Sequence, residues 1–327
     1  MEQVGAHITS LRTAVPYIRA YAGRTFVVKL SGRLCDPGPL LANLADQLAL
    51  LTTLGVRVVV VHGGGDQITA LSQRLGLTPE IVAGRRVTDA ATLGAVKMSL
   101  AGVVNTDIVA AFRGCGVSAV GLTGIDAAMV DVIRRPVQTI SDPSTGRHHE
   151  VDFGFVGNIV SVRPELIEHL LAARYVPVIA SLAADRAGQV FNVNADTFAA
   201  QIATSLRAVK YFLLTNVDGV MGDIRSPQSL IPYMDLSELD GLVKSGAISG
   251  GMLPKLAACA DALRGGVQRV HIVNGTVRDS LLAEVFTNEG CGTMLVSQRD
   301  NDAPVTPSVS APITTVSTAA TRDTVSA

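Results

Sequence analysis

Residues Gly188–Ala200 read GQVFNVNADTFAA, and this stretch carries the strongest indication of the fold. Two amides, Asn192 and Asn194, and one carboxylate, Asp196, alternate along it before an alanine-rich run with helical periodicity. Alternation along an extended segment puts all three polar groups on one side. Because α/β enzymes hold ligand-contacting groups where a strand end leads into a helix, the stretch predicts such an enzyme. The same residues also fit a solvated loop that caps the next helix, and local sequence does not decide between them.

The rest of the chain alternates short Val/Ile-rich runs with helical patterns, which is typical of an α/β fold with a parallel sheet and crossover helices. Strands are predicted at Thr25–Leu30, Val56–Val61, Ser118–Leu122, Tyr175–Ala180, Tyr211–Leu214 and Val270–Val273. Helices are predicted at Leu40–Leu54, Gln67–Leu75, Ala90–Phe112, Pro164–Ala173, Asp196–Leu206 and Leu253–Leu263, with a further one at Ile8–Tyr21. Met129–Arg135 and Phe153–Val162 read as a hairpin-like insert with Ser141–His149 as its polar loop.

The composition limits the classes of partner. The chain has 327 residues, of which 48% are hydrophobic and 17% charged, so a sizeable core is expected. A net charge of −1 provides no field to attract nucleic acid or an anionic membrane, and we expect neither as a partner. The apolar runs have strand length, and no basic-then-apolar leader opens the sequence. The four cysteines lie far apart, which favours reduced thiols and a cytoplasmic location.

Two lysines stand at positions suited to contact with phosphate. The first predicted strand ends in Lys29-Leu30-Ser31-Gly32, where an ammonium and the N–H groups of small residues would meet an anion together. Lys255 follows Pro254 in the first turn of a predicted helix, where a cation opposes the helix dipole unless a polyanion compensates it. Each lysine could also be a solvated surface residue. For Lys29, the tetrapeptide Lys29-Leu30-Ser31-Gly32 taken alone favours the solvated position.

Three further turns follow strand ends. His62-Gly63-Gly64-Gly65 leads directly into a helix, so its backbone and the helix dipole would favour an anion. Arg85 and Arg86 precede the helix that Asp89 would cap, and one of the two guanidinium groups would clamp a carboxylate, since adjacent arginines usually point in different directions. The turn Thr215-Asn216-Val217-Asp218-Gly219 would contact a nucleotide. The turn at His62 also fits a plain glycine turn. The turn at Thr215 also fits an ordinary exit from a strand into a loop.

Taken together, the motifs resemble the amino acid kinase family from about Tyr17 to Val296, and within it the kinases of N-acetyl-L-glutamate in arginine biosynthesis. The order and spacing of KLSG, HGGG, GRRVTD, NVNAD and GGMLPK carry the likeness. The resemblance implies a three-layer α/β fold of the carbamate-kinase-like type, with an open, mostly parallel sheet sandwiched by helices. It also implies ATP-dependent phosphorylation of the γ-carboxylate of N-acetyl-L-glutamate to an acyl phosphate, with Mg²⁺ carried by ATP and no metal ligand from the chain.

The resemblance further assigns roles by position. Lys29 and Lys255 would neutralise the transferring phosphoryl group from opposite sides, and Asp196 would orient both lysines. Asp196 need not act as a base, because the attacking carboxylate is already ionised at neutral pH. The substrate-binding residues would be Gly63, Gly64, Gly65, Arg86, Asn192 and Asn194. The cofactor-binding residues would be Gly32, Thr215, Asp218 and Gly219.

Two positions depart from the family pattern. Ser31 stands where the family usually has the first glycine of its turn, and a φ above zero there would strain it by about 1–2 kcal/mol. If φ is negative, the hydroxyl simply adds a donor. Arg85 replaces a usually apolar residue, which would alter the amino-acid pocket.

The stretch Val15–Tyr21 resembles the extra helix of the arginine-inhibited, hexameric members of the family. Feedback inhibition by arginine is therefore predicted, with Glu284 pairing the guanidinium; the alternative is a helix that packs only on its own subunit. The arginine site would include Tyr17, His271, Glu284, Gly290 and Gly292. The assembly would be a homohexamer, as a trimer of dimers, or a homodimer.

The same resemblance divides the chain. The division gives an N-terminal helix over 1–22, an amino-acid-binding lobe over 23–206 and a nucleotide-binding lobe over 207–297. A tail rich in Ser, Thr, Ala and Pro, predicted to be disordered, fills 298–327. Two other functions stay open, namely a kinase of a related amino acid such as aspartate or aminoadipate, and a catalytically weakened arginine-sensing subunit.

Overall fold

The computed structural model describes residues 2–141, 148–223, 226–246, 248, 250–287 and 290–299. Its strands are β1 Thr25–Leu30, β2 Arg57–His62, β3 Ile81–Val82, β4 Arg85–Arg86, β5 Ala119–Thr123, β6 Val130–Arg134, β7 Gln138–Ser141, β8 His148–Val151, β9 Gly157–Val162, β10 Val176–Ala180, β11 Leu182–Ala184, β12 Val190–Asn192, β13 Lys210–Thr215, β14 Tyr233–Asp235, β15 Arg269–Asn274 and β16 Thr293–Val296. Its α-helices are α1 Glu2–Tyr21, α2 Pro39–Thr53, α3 Gly65–Arg74, α4 Ala90–Lys97, α5 Asn105–Gly114, α6 Glu165–Ala172, α7 Ala195–Ser205, α8 Leu236–Lys244, α9 Met252–Arg264 and α10 Ser280–Phe286. Most of the predicted polar loop and the tail from residue 300 lie outside the described residues.

One large sheet organises the molecule, with strand order β14-β16-β15-β13-β1-β2-β10-β5. All neighbours in it are parallel except β15 and β16. The prediction of a mostly parallel α/β sheet is therefore confirmed, and its six predicted strands each match to within one residue. β1, which lies before the predicted lobe boundary at residue 206, pairs directly with β13, which lies after it. One continuous sheet therefore spans both predicted lobes.

The alternation of β1 shows why helices cover both faces of this sheet. Phe26, Val28 and Leu30 pack into the core formed with α2, α5 and α10. Val27 packs into the opposite core, formed with α6, α7 and α9. Because side chains alternate along a strand, Lys29 must share the second face with Val27. The sheet thus directs Lys29 toward α7 and α9.

The insert predicted as a hairpin is larger than expected. β6 pairs with β9 as the sequence indicates, but both belong to a four-stranded sheet in the order β12-β11-β6-β9. Two small hairpins, β3–β4 and β7–β8, lie beside it. The sequence analysis missed β11, β14 and β16 because strands of three or four residues carry too little periodicity to be recognised.

The stretch Ala90–Gly114 is a continuous helical segment in which the π-helical turn Met98–Val104 joins α4 to α5. Its length of 25 residues, and the mean hydropathy of 1.3 over its most apolar window, would also suit a membrane span. However, 44% of its most apolar window is buried, and Ile108 and Phe112 belong to the sheet's core. A packed core helix accounts for both properties.

Candidate active site

One carboxylate bridges two lysines at the carboxyl ends of the central strands. Lys29 Nζ lies 2.7 Å from Asp196 Oδ1, and Lys255 Nζ lies 3.1 Å from Asp196 Oδ2. Only 6% of the Lys29 side chain and 8% of the Asp196 side chain are exposed, against 20% for Lys255. The structure therefore brings together the three residues that the sequence assigned to catalysis.

The local structure explains this meeting. Lys29 points to the face covered by α7 and α9, and Asp196 and Lys255 occupy the first turns of those two helices. The expectation that Asn192, Asn194 and Asp196 follow one extended segment is wrong beyond Asn192. β12 ends there, and the Asn194 side chain caps α7 by accepting a hydrogen bond of 2.9 Å from Thr197 N. The capping alternative is thus correct for Asn194, and the helix turns Asp196 inward.

Burial and charge act in opposite directions on this cluster. Burial raises the pKa of Asp196, but the charges of Lys29 and Lys255 outweigh it and bring the pKa to about 2. Burial lowers the pKa of Lys29, which the Asp196 carboxylate partly opposes. One ionised carboxylate between two ammonium groups leaves an excess of positive charge, which a polyanion would neutralise.

Ser31 is not strained, which settles the first departure from the family pattern. Its φ of −110° and ψ of 138° are ordinary extended values, and its hydroxyl accepts a hydrogen bond of 2.7 Å from Lys29 Nζ. The left-handed conformation falls instead on Gly32, with φ of +46°. Ser31 thus helps to hold the ammonium, and the glycine that the turn requires is present.

A cleft of about 350 Å³ opens beside this cluster. Its lining includes the predicted residues Lys29, Gly32, Gly63, Gly64, Gly65, Arg86, Asn192, Asn194 and Asp196. α3 begins at Gly65, and its first backbone N–H groups have no acceptor within the helix, as at any helix start. The floor of the cleft is therefore an anion-binding helix terminus beside two lysines.

Packing accounts for two glycines of this turn. A Cβ at Gly63 would lie 3.0 Å from Ala195 Cβ, and one at Gly64 would lie 2.7 Å from Leu100 Cδ2. Leu100 belongs to the π-helical turn and lines the cleft. Close contact with neighbouring helices thus explains Gly63 and Gly64, whereas a Cβ at Gly65 would have no neighbour within 4 Å.

Arginine side chains surround the far end of the cleft. Arg86 Nη2 donates to Gly65 O at 3.0 Å and to Thr69 Oγ1 at 2.7 Å, while its buried Nη1 has no hydrogen-bond partner among the described residues. Arg85 also lines the cleft, where it donates to Gln138 Oε1 at 2.9 Å. An unpaired, buried guanidinium nitrogen is what a carboxylate ligand would satisfy.

Arg135 is a cleft residue that the sequence analysis missed. Its Nε donates to Asn158 Oδ1 at 2.8 Å, and its guanidinium lies 6.0 Å from the Phe153 ring centroid. Burial and the nearby charge of Arg85 lower its pKa. The signal in the sequence was weak, because Arg134 and Arg135 are adjacent and Arg135 lies just beyond the end of β6, where strand alternation does not assign it a face.

The predicted nucleotide residues lie at the same edge of the sheet but outside this cleft. Thr215 ends β13, the neighbour of β1, and Asp218 Oδ1 accepts a hydrogen bond of 2.7 Å from Asn274 Nδ2. Gly219 has a φ of +152°, and a Cβ there would lie 2.5 Å from Thr293 Oγ1. Its conformation and packing explain this glycine without a ligand.

The cleft fits a bound nucleotide phosphate better than a resident metal. The excess positive charge, the left-handed Gly32 and the start of α3 all suit a polyphosphate. Across the described ranges, no group of three or more His, Cys, Asp or Glu side chains is placed to hold a metal ion.

A second cavity of about 280 Å³ lies where α1 meets the sheet. The residues predicted for an arginine site all line it, namely Tyr17, His271, Glu284, Gly290 and Gly292. Gly290 has a φ of +60°, and a Cβ there would lie 2.8 Å from Glu284 Oε2. The turn that covers this carboxylate therefore requires glycine.

A chain of polar groups crosses this cavity. Burial raises the pKa of Glu284, but hydrogen bonds from His271 Nδ1 and Cys291 N, at 2.7 and 2.8 Å, outweigh it and bring the pKa to about 2. Burial and the charge of Lys210 lower the pKa of His271 to about 4, so its ring is neutral. Lys210 Nζ lies 3.1 Å from the free ring nitrogen Nε2.

Lys210 and Arg269 line the same cavity and were missed from the sequence. Burial and the charge of Arg269 lower the pKa of Lys210 to about 7. Lys210 begins β13, so it reads as the solvated first residue of a strand, and only its register with Arg269 reveals the burial. The cavity therefore holds an anionic end and a cationic end.

The sheet and the lysine–aspartate–lysine cluster are those of a phosphotransferase. The sequence profile of the Amino acid kinase family matches residues 24–274, and the chain belongs to this family. The acetylglutamate kinase of Myxococcus xanthus is 44% identical over 290 residues, which cover 89% of this chain and 94% of that protein. Curated acetylglutamate kinases from Symbiobacterium thermophilum and Heliobacterium modesticaldum are 43% and 41% identical.

Solved structures agree on the fold. The N-acetylglutamate synthase of Neisseria gonorrhoeae, complexed with coenzyme A and L-arginine, superimposes with a TM-score of 0.76 and 29% identity. The match covers 89% of this chain but only 65% of the synthase. The carbamate kinase of Giardia has a TM-score of 0.60 at 15% identity, covering 85% of this chain and all of that one. At that identity the likeness shows the fold alone, and it confirms the predicted fold type.

Proposed function

We propose that this chain transfers the γ-phosphoryl group of ATP to the γ-carboxylate of N-acetyl-L-glutamate, as its relatives' names imply. The observation that carries the proposal is the bridge from Asp196 to Lys29 and Lys255 at the wall of an anion-binding cleft. Phosphoryl transfer depends chiefly on positioning and on neutralising charge, and this cluster supplies both.

The reaction needs no proton transfer from the protein. A γ-carboxylate oxygen attacks the γ-phosphorus and forms the new O–P bond, while the bond from that phosphorus to the β,γ-bridging oxygen breaks and ADP leaves. Lys29 and Lys255 offset the negative charge on the transferring oxygens, and Asp196 holds both ammonium groups in place. Gly32 and the start of α3 donate backbone N–H groups to phosphate oxygens. Mg²⁺ would add charge neutralisation when ATP brings it.

The arginine side chains of the cleft would select the acceptor. The unpaired Nη1 of Arg86 would bind the α-carboxylate, and Arg135 adds a second half-buried cation within the same cleft. Asn192 lines that wall and would hydrogen-bond the substrate, while Asn194 supports the wall by capping α7. Thr215, Asp218 and Gly219 would belong to the nucleotide site at the neighbouring strand end.

A coupled ADP-release assay tests the choice of acceptor. The purified protein with Mg-ATP would be given N-acetyl-L-glutamate, glutamate, aspartate and aminoadipate in separate reactions at matched concentrations. We expect turnover with N-acetyl-L-glutamate at least tenfold above that with the others. Preference for aspartate or aminoadipate would support the related-kinase alternative, and no turnover with any of them would support a sensing subunit.

We further propose that arginine binds in the second cavity and inhibits the enzyme. The cavity offers an ionised Glu284 for a guanidinium, and the guanidinium of Arg269 with the partly protonated Lys210 for a carboxylate, so its two ends match the two charged ends of arginine. Tyr17 of α1 forms part of its wall, which would couple occupancy to this helix. The arginine-bound synthase of similar fold supports the idea.

Replacing Glu284 by Gln should weaken arginine inhibition at least tenfold, since the ion pair to the guanidinium is lost. Inhibition is measured as the arginine concentration that halves the rate of ADP release. Glu238→Gln is the matched control, because Glu238 lies exposed on α8 and pairs with Arg299. An unchanged rate of the wild-type protein in millimolar arginine would count against the site.

Three broader assignments are proposals of the same kind. The parts before and after residue 206 would act as amino-acid and nucleotide lobes, with 1–22 as a regulatory helix and 298–327 as a tail. The protein would be cytoplasmic and would assemble as a homodimer or as a hexamer of three dimers. Exposed apolar side chains in the Ala90–Gly114 segment, Met98 at 50% and Val103 at 57%, support self-association.

A further inference from the structure

A buried histidine controls the orientation of one peptide in the glycine turn. His62 is fully buried, and its Nδ1 lies 2.9 Å from the carbonyl oxygen of Gly63. A carbonyl oxygen only accepts hydrogen bonds, so Nδ1 must carry the proton. Burial lowers the pKa of His62 to about 4, and the ring is neutral at physiological pH. The remaining ring nitrogen, Nε2, is therefore an acceptor.

Asn105 donates a hydrogen bond to His62 Nε2 and so fixes the tautomer of the His62 ring. Its Nδ2 lies 3.0 Å from His62 Nε2 and 2.9 Å from the carbonyl oxygen of Val178. Because the Val178 oxygen also only accepts, the amide nitrogen, and not its oxygen, must face the ring. The carbonyl oxygen of Gly63 thus requires a proton on His62 Nδ1, and that of Val178 requires the Asn105 amide nitrogen on the side of His62 Nε2.

The fold makes specific room for Asn105. The π-helical turn Met98–Val104 ends immediately before it, and Asn105 is the first residue of α5. A Cβ at Gly121 in β5 would collide with Asn105 Oδ1, so a strand glycine is needed to accommodate the amide. The Asn105 amide thus has its own place between the strands, where it donates to the Val178 carbonyl and faces His62.

We propose that His62 and Asn105 are positioning residues that aim the Gly64 N–H into the cleft. The Gly63–Gly64 peptide is trans, so its N–H points opposite to the carbonyl that His62 holds. His62 lies on the core side of this peptide and the cleft on the other. The freed N–H becomes a preorganised donor to an anionic oxygen of the reacting groups. The assignment of this donor to catalysis rests on the proposed phosphotransfer.

Two substitutions of His62 separate this role from simple packing. An Asn amide nitrogen takes the place of Nδ1 and keeps the donor to Gly63 O. A Gln side chain instead puts its amide oxygen in the place of Nε2, where it accepts from Asn105 Nδ2, and leaves Gly63 O without this donor. We expect His62→Gln to lower kcat about 10–100-fold, as for loss of a preorganised donor, with little change in the KM for N-acetyl-L-glutamate. We expect His62→Asn to stay within about fivefold of the wild-type kcat, although both variants remove the same ring from the core.

Thermal unfolding of both variants is measured alongside the kinetics. Equal losses of kcat in the two variants, or no loss in either, would overturn the proposal. Nitrogen-15 NMR of the wild-type ring gives a test that needs no activity: we expect a protonated Nδ1 and a bare Nε2. A protonated Nε2 would overturn the proposal even if the protein phosphorylates N-acetyl-L-glutamate. A wild-type protein without kinase activity but with the expected tautomer would instead refute the proposed function and leave the positioning of the peptide standing.

Discussion

Lys255→Ala and Lys29→Ala are each expected to lower kcat about 10²–10³-fold, the usual cost of removing one preorganised electrostatic group. Each ammonium approaches a different oxygen of Asp196, so neither can replace the other. Lys255 is partly exposed, and its variant should unfold close to the wild-type temperature. Lys29 is buried, but Asp196 keeps Lys255 as a partner, and we expect a folded yet less stable protein.

Steady-state ADP release and thermal unfolding check both variants. Lys244→Ala is the matched control, because Lys244 is exposed in the last turn of α8, away from the cleft. The control should keep its kcat within about twofold. Near-wild-type turnover in either Lys29→Ala or Lys255→Ala would contradict the assigned roles.

Asp196→Asn is expected to have a comparable effect through the lysines. Without the carboxylate, two ammonium groups face each other across the amide, and their positions relax. The Asp196 charge now opposes the lowering of the Lys29 pKa by burial, so its loss lowers that pKa further. Because transfer requires the ammonium form, the fall in activity at high pH should begin at lower pH in the variant. We expect kcat at neutral pH to fall at least about 10²-fold.

The measurement is the pH–rate profile of kcat beside that of Asp240→Asn, a variant of an exposed carboxylate paired with Arg264. Stability gives a second readout. A pKa of about 2 for Asp196 means that its ionised form stabilises the fold at neutral pH by on the order of 2 kcal/mol, lost only as pH falls toward 2. If the fall of kcat at high pH begins at the same pH in Asp196→Asn as in the wild type, Asp196 does not keep Lys29 protonated.

Sequence alone predicts the large sheet well because its strands are long and buried on both faces. The run Thr25–Leu30 matches β1 at both ends, and its alternation already separates Lys29 from Phe26 and Val28. The KLSG and HGGG motifs likewise point to one edge of the sheet, because they follow neighbouring parallel strands that end together there. The hydrophobic pattern and the strand direction were therefore sufficient to predict the large sheet and the edge that carries the site.

What the sequence does not contain is long-range pairing. Asp196 was read as part of an extended segment because N-x-N-x-D alternates, whereas the cap at Asn194 starts a helix and rotates the carboxylate inward. Arg135 and Lys210 were missed because only their neighbours in the fold place them at a cavity. His62 stands in the predicted glycine turn, but its link to Asn105 spans 43 positions and has no local signature.

Trapping of the product with hydroxylamine tests the central proposal most directly. An acyl phosphate reacts with hydroxylamine to give a stable hydroxamate, and mass spectrometry then shows which carboxylate was activated. The purified protein with Mg-ATP and N-acetyl-L-glutamate should yield the γ-hydroxamate in an amount equal to the ADP released, and Lys255→Ala should yield on the order of 10²-fold less. An α-hydroxamate, or ADP release without any hydroxamate, would contradict phosphorylation of the γ-carboxylate.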